Sequence, residues 1–275
     1  IFRQAQESMI VLNAHRINRG EFPQLNVRGK DFFLDRRESP KEILDTIVDL
    51  ICRRIPGFGP YHPVKDIQVL SPMKKGLVGV NNLNAELQKV LNPPKPSKKE
   101  KASRDMIFRE GDKVMQIKNN YNLSWKRYSC DKVIEEGEGV FNGDVGYIES
   151  IDNDDREMTV VFDDDKVVVY DFTQLDELEL AYAISIHKSQ GSEFPVVVIP
   201  MAWGPPMLMT RNLLYTAVTR AREMVVLVGR ERTIQAMVQN NHIINRYSGL
   251  ERRLKNLFSS LIIDDKFNVF GDVED

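Results

Sequence analysis

The sequence predicts an α/β fold: a doubly wound parallel sheet with helices on both faces, interrupted by a small β-barrel. Three observations carry this. Residues 178–186, 195–201 (PVVVIPM) and 224–228 (MVVLV) are almost continuously apolar, as strands covered on both faces must be. Other stretches space their apolar residues at helical intervals. From about residue 108 to 178 the pattern shifts to short strands separated by tight polar turns.

In chain order, residues 5–19 place Ile10, Ala14 and Ile17 on one helical face, and Gly20 with Pro23 supplies a stop. Residues 32–34 read as a strand. Ser39-Pro40-Lys41-Glu42 is a capping box with proline at the first helical position, and the helix it opens runs to about Arg54, burying Ile43, Ile47, Leu50 and Ile51. Pro56-Gly57-Phe58-Gly59-Pro60 reads as a turn that ends it. Its glycines lack the Lys-Ser or Lys-Thr of a phosphate loop. A strand at 66–70 and a helix at 79–92 follow, the helix turning Val80, Leu83, Leu87, Val90 and Leu91 inward. Residues 93–105, PPKPSKKEKASRD, are rich in proline and lysine, as expected of a linker or mobile loop.

The barrel is expected from five strands at 113–118, 139–141, 145–151, 158–162 and 166–170, with turn chemistry at Asn142-Gly143-Asp144 and Asp163-Asp164-Asp165. Residues 178–186 then read as one strand leading into a polar turn. A helix at 211–222, the strand at 224–228 and a terminal helix at 240–258 complete the chain, with an acidic tail after it.

Composition narrows the function classes. Among the 275 residues, 42% are apolar and 28% charged, ordinary values for a globular domain. Lys and Arg (38) nearly balance Asp and Glu (40), so any binding to phosphates must come from local placement of charge rather than from the net −2. Cys52 and Cys130 lie far apart, without metal-ligand spacing, which fits a reducing compartment and a cytoplasmic address. No apolar run approaches the roughly 20 residues needed to span a bilayer, so no membrane association is expected. The chain begins IFRQ without Met and reads as a piece of a longer protein.

Two stretches carry chemistry. AYAISIHKSQGSEF (181–194) sets a polar turn between buried strands, where a parallel sheet places a ligand-facing loop, and RNLLYTAVTRAR (211–222) follows some twenty residues later. Paired in this order, they resemble motifs V and VI of superfamily 1 helicases, most closely the RecD/TraA type. The opening FRQ resembles motif IV. VLSPMKKGLVGVNNLNAELQKVLNP resembles a DNA-facing segment of the same type, and F-x-x-GD-x-V-M-Q (108–116) with GVFNGDVG (139–146) resembles its SH3-like insertion, called 2B.

The resemblance implies a RecA-like domain 2A made of residues 1–105 (mobile linker 93–105) and 179–260, the 2B insertion at 106–178, and a tail at 261–275. It implies that Arg220 and Arg3 are catalytic, reaching the γ-phosphate, and that Glu193, Gly191 and Gln4 bind nucleotide, Glu193 at the ribose. His187, Lys188, Ser189, Lys74 and Asn142 would touch DNA; no residue is assigned to a metal. Arginine suits the sensing of phosphate because its planar fork is permanently charged. An arginine delivered across an interface typically speeds phosphoryl transfer on the order of 10³–10⁵-fold. Arg222, two residues on, would lie about 200° around a continuing helix, so only Arg220, on the face of Thr216, is expected at the nucleotide.

The implied cofactors are ATP and Mg²⁺, held mainly by a preceding RecA-like domain, because the sequence has no G-x-x-x-x-G-K-[ST] and no apolar strand ending in paired acids. The implied partners are single-stranded and duplex DNA, that domain, and other recombination subunits. The implied activity is ATP-driven 5′ to 3′ translocation and unwinding. Two alternatives stay open: a non-catalytic nucleic-acid or peptide adaptor whose working part is the barrel, and the motor half of a conjugative relaxase-helicase.

Overall fold

The computed structural model describes residues 8–28, 30–130, 132–242, 249 and 253–256. The chain divides after Asn241 into two units. Five parallel strands form the main sheet of the first unit: β1 (Phe32–Arg36), β2 (Ile67–Ser71), β12 (Ala183–Ser185), β13 (Phe194–Met201) and β14 (Ala221–Gly229), in the order β1-β14-β13-β2-β12. Alternate side chains of the central strands enter two cores. Val69, Val196, Val198 and Val226 meet Ile43, Ile47, Leu83 and Leu87 of helices α2 (Pro40–Asp49) and α3 (Val80–Leu91). Leu70, Val197, Ile199 and Val225 meet Ile10, Ile17, Leu214 and Ile234 of α1 (Met9–Arg19), α4 (Arg211–Val218) and α5 (Glu231–Gln239). The sheet is doubly wound, as expected, and the period-2 alternation explains why its strands read as unbroken apolar runs.

Side-chain hydrogen bonds fix the starts of α2 and α1. Ser39 accepts from the Glu42 amide while the Glu42 carboxylate accepts from the Ser39 amide, closing the capping box that opens α2. Asp31 accepts from the Ser8 hydroxyl and the Met9 and Ile10 amides, so α1 starts against the segment that leads into β1. The turn expected at residues 56–60 begins later: α2 continues through a π-helical turn, Leu50–Arg54, into Ile55–Phe58. Pro56 has no N–H to bond back along this continuous helix, and the π-helical turn stands directly before it, where the regular i to i−4 ladder gives way. Val90 is exposed rather than inward.

An antiparallel sheet lies in sequence between β2 and its neighbour β12. It comprises β5 (Lys113–Gln116), β6 (Asn120–Ser129), β7 (Lys132–Val140), β8 (Val145–Asp152), β9 (Glu157–Phe162), β10 (Val167–Asp171) and β11 (Leu178–Leu180), in the order β11-β5-β8-β9-β10-β6-β7. Three features differ from expectation. Residues 120–140 form a long, largely exposed hairpin, β6 with β7. Glu100–Ser103, within the expected linker, is a strand (β3) paired with β4 (Met106–Arg109). The single strand expected at 178–186 is two: β11 pairs with β5 in the antiparallel sheet, and β12 pairs with β2 in the parallel one.

Between those two strands the chain is gripped by buried amides. The Gln68 side chain donates to the carbonyls of Ala181 and Tyr182 (both 3.1 Å), and Asn84 bonds Leu180 O, Ala183 O and Ala183 N–H at 2.7–2.9 Å. Asp112 is the hub of this joint. Its carboxylate accepts from Gln88 (2.6 Å), the Arg109 amide (2.7 Å), Asn92 (2.7 Å) and the Tyr182 hydroxyl (2.8 Å). Burial raises its pKa, and the four donors oppose that rise.

Near the C-terminus the expected helix at 240–258 starts differently. α5 ends at Gln239, Asn240 to His242 are not helical, and residues 253–256 are helical. Among the described residues no helix is long and apolar enough to cross a membrane.

Candidate functional site

The polar turn begins where β12 ends. Ile186–Ser189 is a short 3-10 turn whose Ile186 side chain enters the core. Ser189 is buried, and its hydroxyl donates to the Ile186 carbonyl at 2.7 Å, so it braces the turn from inside. His187 is exposed. Lys188 reaches Glu179 of β11 at 2.9 Å, and Lys74, from the loop after β2, lies 3.8 Å from the same carboxylate. Two lysines assigned to one ligand from distant stretches therefore meet beside the carboxyl ends of β2 and β12.

Gly191 follows, at φ +91°, a backbone conformation open to glycine at no steric cost. It redirects the chain so that Ser192 N–H reaches the Ser189 carbonyl (3.1 Å) and Glu193 emerges just before β13. Phe194 N–H then donates to Arg220 C=O at 2.8 Å, and Phe194 registers with Ala221 at the start of β14. The segment 187–194 thus runs from the carboxyl end of β12 to the amino ends of β13 and β14. Glu193 and Arg220 belong to that amino edge, not to the carboxyl edge where a parallel sheet usually presents ligands.

Arg220 is not on the helix. α4 is capped by Thr210, which accepts from Leu213 N–H, and ends at Val218; Arg220 occupies the turn into β14. Arg222 is a strand residue, so no helical face separates it from Arg220 as expected. What distinguishes them is contact. The Arg220 guanidinium donates to Thr216 O (3.3 Å), Ser192 O (3.2 Å) and Thr219 Oγ1 (3.2 Å). With five N–H donors in the fork, two remain uncommitted. Arg222 instead lines a cleft of about 790 Å³ between the parallel sheet and the antiparallel one.

Glu193, Ser192 and Phe194 border that cleft, and Gly143, Asp144 and Asp163 line it from the antiparallel sheet. Lys113, buried among its lining residues, donates to Val64 O (2.9 Å) and Gln68 Oε1 (3.1 Å). Burial lowers its pKa to about 8, while Asp163 and Asp66 pull it back up. Burial likewise raises Asp163, against the pull of Lys113.

The structure brings together Lys74 with Lys188, and Arg220 with Ser192 and Phe194 on either side of Glu193. Asn142 joins neither group; it is exposed on the turn beside Gly143, and its backbone N–H donates to Asn119 Oδ1 at 2.9 Å. Arg3 and Gln4 lie outside the described residues. The sequence reading missed Glu179, which the two lysines share, and Lys113 in the cleft. The one available signal was a charged pair, Asp112-Lys113, leading directly into the apolar Val114-Met115.

Comparison with known proteins agrees with this architecture. Residues 83–162 match the family model of the ATP-dependent RecD-like DNA helicase SH3 domain, and residues 180–228 match the UvrD-like helicase C-terminal domain. The chain is 32% identical over 223 residues to an ATP-dependent RecD2 DNA helicase of Deinococcus radiodurans, covering 81% of this chain and 27% of that protein. It is 43% identical over 82 residues to the RecBCD enzyme subunit RecD of Mycobacterium tuberculosis, covering 30% of this chain and 14% of the relative. A Pif1 helicase from Bacteroides, solved with ADP-AlF3 and single-stranded DNA, aligns over 92% of this chain and 54% of its own at 17% identity and a TM-score of 0.45, too distant a likeness to bear on function.

The two domain matches together define a helicase class, one in which a RecD-like SH3 domain precedes a UvrD-like C-terminal domain. Within it, the chain is a RecD-like C-terminal region, and it spans about a quarter of the length of the Deinococcus relative (27%).

Proposed function

We propose that this chain is the nucleotide-sensing and DNA-holding half of an ATP-dependent DNA helicase motor acting in repair or recombination. The observation that carries the reading is Arg220, whose guanidinium rests on the Ser192 carbonyl immediately before Glu193. Motifs V and VI are thereby one rigid piece, joined again by the Phe194 to Arg220 backbone bond. Lys188 lies only five residues before Glu193, so a single short segment touches both proposed ligands.

The described residues fit a share of the nucleotide. Glu193 offers an exposed carboxylate to a ribose hydroxyl, Gly191 gives the backbone close approach, and Arg220 has two uncommitted N–H donors in a fork already oriented by three bonds. Among them no group of three His, Cys, Asp or Glu side chains is placed to hold a metal ion. ATP and Mg²⁺ are assigned mainly to a second RecA-like domain, with Arg3 and Gln4 as further contributors. ATP supplies the bond whose cleavage drives movement. On the DNA side, Lys74, Lys188 and His187 hold backbone phosphates, which fixes position without reading sequence. Asn142 contributes from the insertion, and Ser189 acts by shaping the turn. Polarity of 5′ to 3′ and a cytoplasmic address complete the proposal, the latter in keeping with two free cysteines.

Arg220→Ala in the full-length protein tests the reading. DNA-stimulated turnover should fall by at least about 10³-fold while nucleotide affinity stays within a few-fold, and this chain alone should hydrolyse no ATP. Wild-type turnover in the variant would remove Arg220 from the site.

A further inference from the structure

Three neighbouring strands of the parallel sheet deliver their next residues along one edge. β12 leads to His187 and Lys188, β2 beside it leads to Lys74 and Lys75, and β13, next in order, leads to Trp203. Trp203 is 64% exposed and Met207 of the same loop 74%. This loop touches the lysine loop: a Cβ on Gly204 would lie 2.7 Å from the Met73 sulfur, one residue before Lys74. Of the lysines, Lys74 and Lys188 share Glu179, so the edge keeps an excess of positive charge.

A second observation points to a ligand at the same place. Trp203, Pro206, Met209 and Ala236 wall a cavity of about 210 Å³, which Thr233 also lines. Thr233 is 1% exposed, and its hydroxyl has no hydrogen-bond partner among the described residues. The hydroxyl is sealed beneath this loop, so a planar ring seated against the indole bonds it when the exposed loop carrying Trp203 and Met207 shifts outward.

We propose that Trp203 is a base-stacking platform for single-stranded DNA, at the end of a track whose phosphates are held by Lys74, Lys75 and Lys188, with the Thr233 hydroxyl bonding the edge of the stacked base. Basic side chains along a groove with an aromatic face for the bases form the usual single-strand surface, tolerant of sequence because every base has a π-face. The proposal rests on the DNA reading above and adds to it a residue that neither helicase motif contains.

The chain's two tryptophans make the test direct, because Trp125→Phe leaves Trp203 as the sole indole. That variant is titrated with a dye-labelled dT oligonucleotide at low salt, following indole emission and dye anisotropy together. Emission should quench in step with binding. Trp203→Ala should weaken binding about 5- to 100-fold, the range for one lost base stack, and Trp203→Phe should retain most affinity. Thr233→Val should weaken binding a few-fold while raising the melting temperature. Binding seen by anisotropy with unchanged emission, or unchanged affinity in Trp203→Ala, overturns the assignment of Trp203 and leaves the DNA reading standing. Absence of any binding at the lowest salt overturns both.

Discussion

Asp112 and Glu193 are both carboxylates of the region where the parallel sheet meets the insertion, yet their surroundings are opposite. Asp112 is 0% exposed and ringed by four donors contributed by Gln88, Asn92, Arg109 and Tyr182. Glu193 stands exposed at the cleft and its side chain has no partner among the described residues. A saturated buried carboxylate holds pieces of the fold in one arrangement; an exposed carboxylate is free to meet a ligand. The same split separates Lys113, buried and bonded to Val64 and Gln68, from Lys74 and His187, which face solvent.

The largest test of this contrast is Asp112→Asn. The substitution keeps size but turns one acceptor oxygen into an NH₂ group facing two donors. Leaving buried donors without an acceptor should cost about 2–4 kcal/mol, read as a lower urea midpoint at unchanged slope. A loss under about 1 kcal/mol would mean that the joint is held by packing and not by this hub.

The contrast also marks what the sequence could and could not show. The doubly wound sheet was legible because buried strands must be apolar on both faces, and the α2 capping box because its four residues are contiguous. The β6–β7 hairpin was not: most of its residues are exposed, so no alternation of apolar and polar side chains marks it. The division of LELAYAISI into two strands of two sheets depends on Gln68, Asn84 and Asp112, residues far away in the chain. The site behaved likewise. Its motifs were readable as local strings, but the contact of Arg220 with Ser192 follows from the register of β13 against β14, and the inward aim of Ser189 from the packing of Ile186.

Lys113 gives a smaller effect with a defined pH window. Its folded pKa, about 8, is below the 10.5 expected of an unfolded lysine. From pH 8 to 10.5 the unfolded chain therefore binds more protons, and stability rises with pH; below pH 8 the cost of burying the charge is present in full. The gain should be on the order of 2–3 kcal/mol across the window. Burial raises the phenols of Tyr147, Tyr170 and Tyr182, and those groups oppose the trend above about pH 10. Comparing wild type with Lys113→Met between about pH 8 and pH 10 isolates the lysine, since the tyrosines are common to both. Wild type should gain on the variant over that range; parallel curves would show that Lys113 stays charged and hydrated in the fold.

The smallest expected change in stability belongs to Glu193→Gln. With no side-chain bond to lose and the carboxylate already in water, the fold should shift by less than about 0.5 kcal/mol. Any effect must then appear in function: the full-length protein should show a KM for ATP raised several-fold, because a neutral amide is a weaker acceptor than a carboxylate for a ribose hydroxyl. The pairing of outcomes is what sharpens the comparison. Loss of stability above about 1 kcal/mol would put Glu193 with Asp112 among the residues that hold the fold. An unchanged KM with an unchanged fold would leave Arg220, through its grip on Ser192, as the link between this turn and the nucleotide.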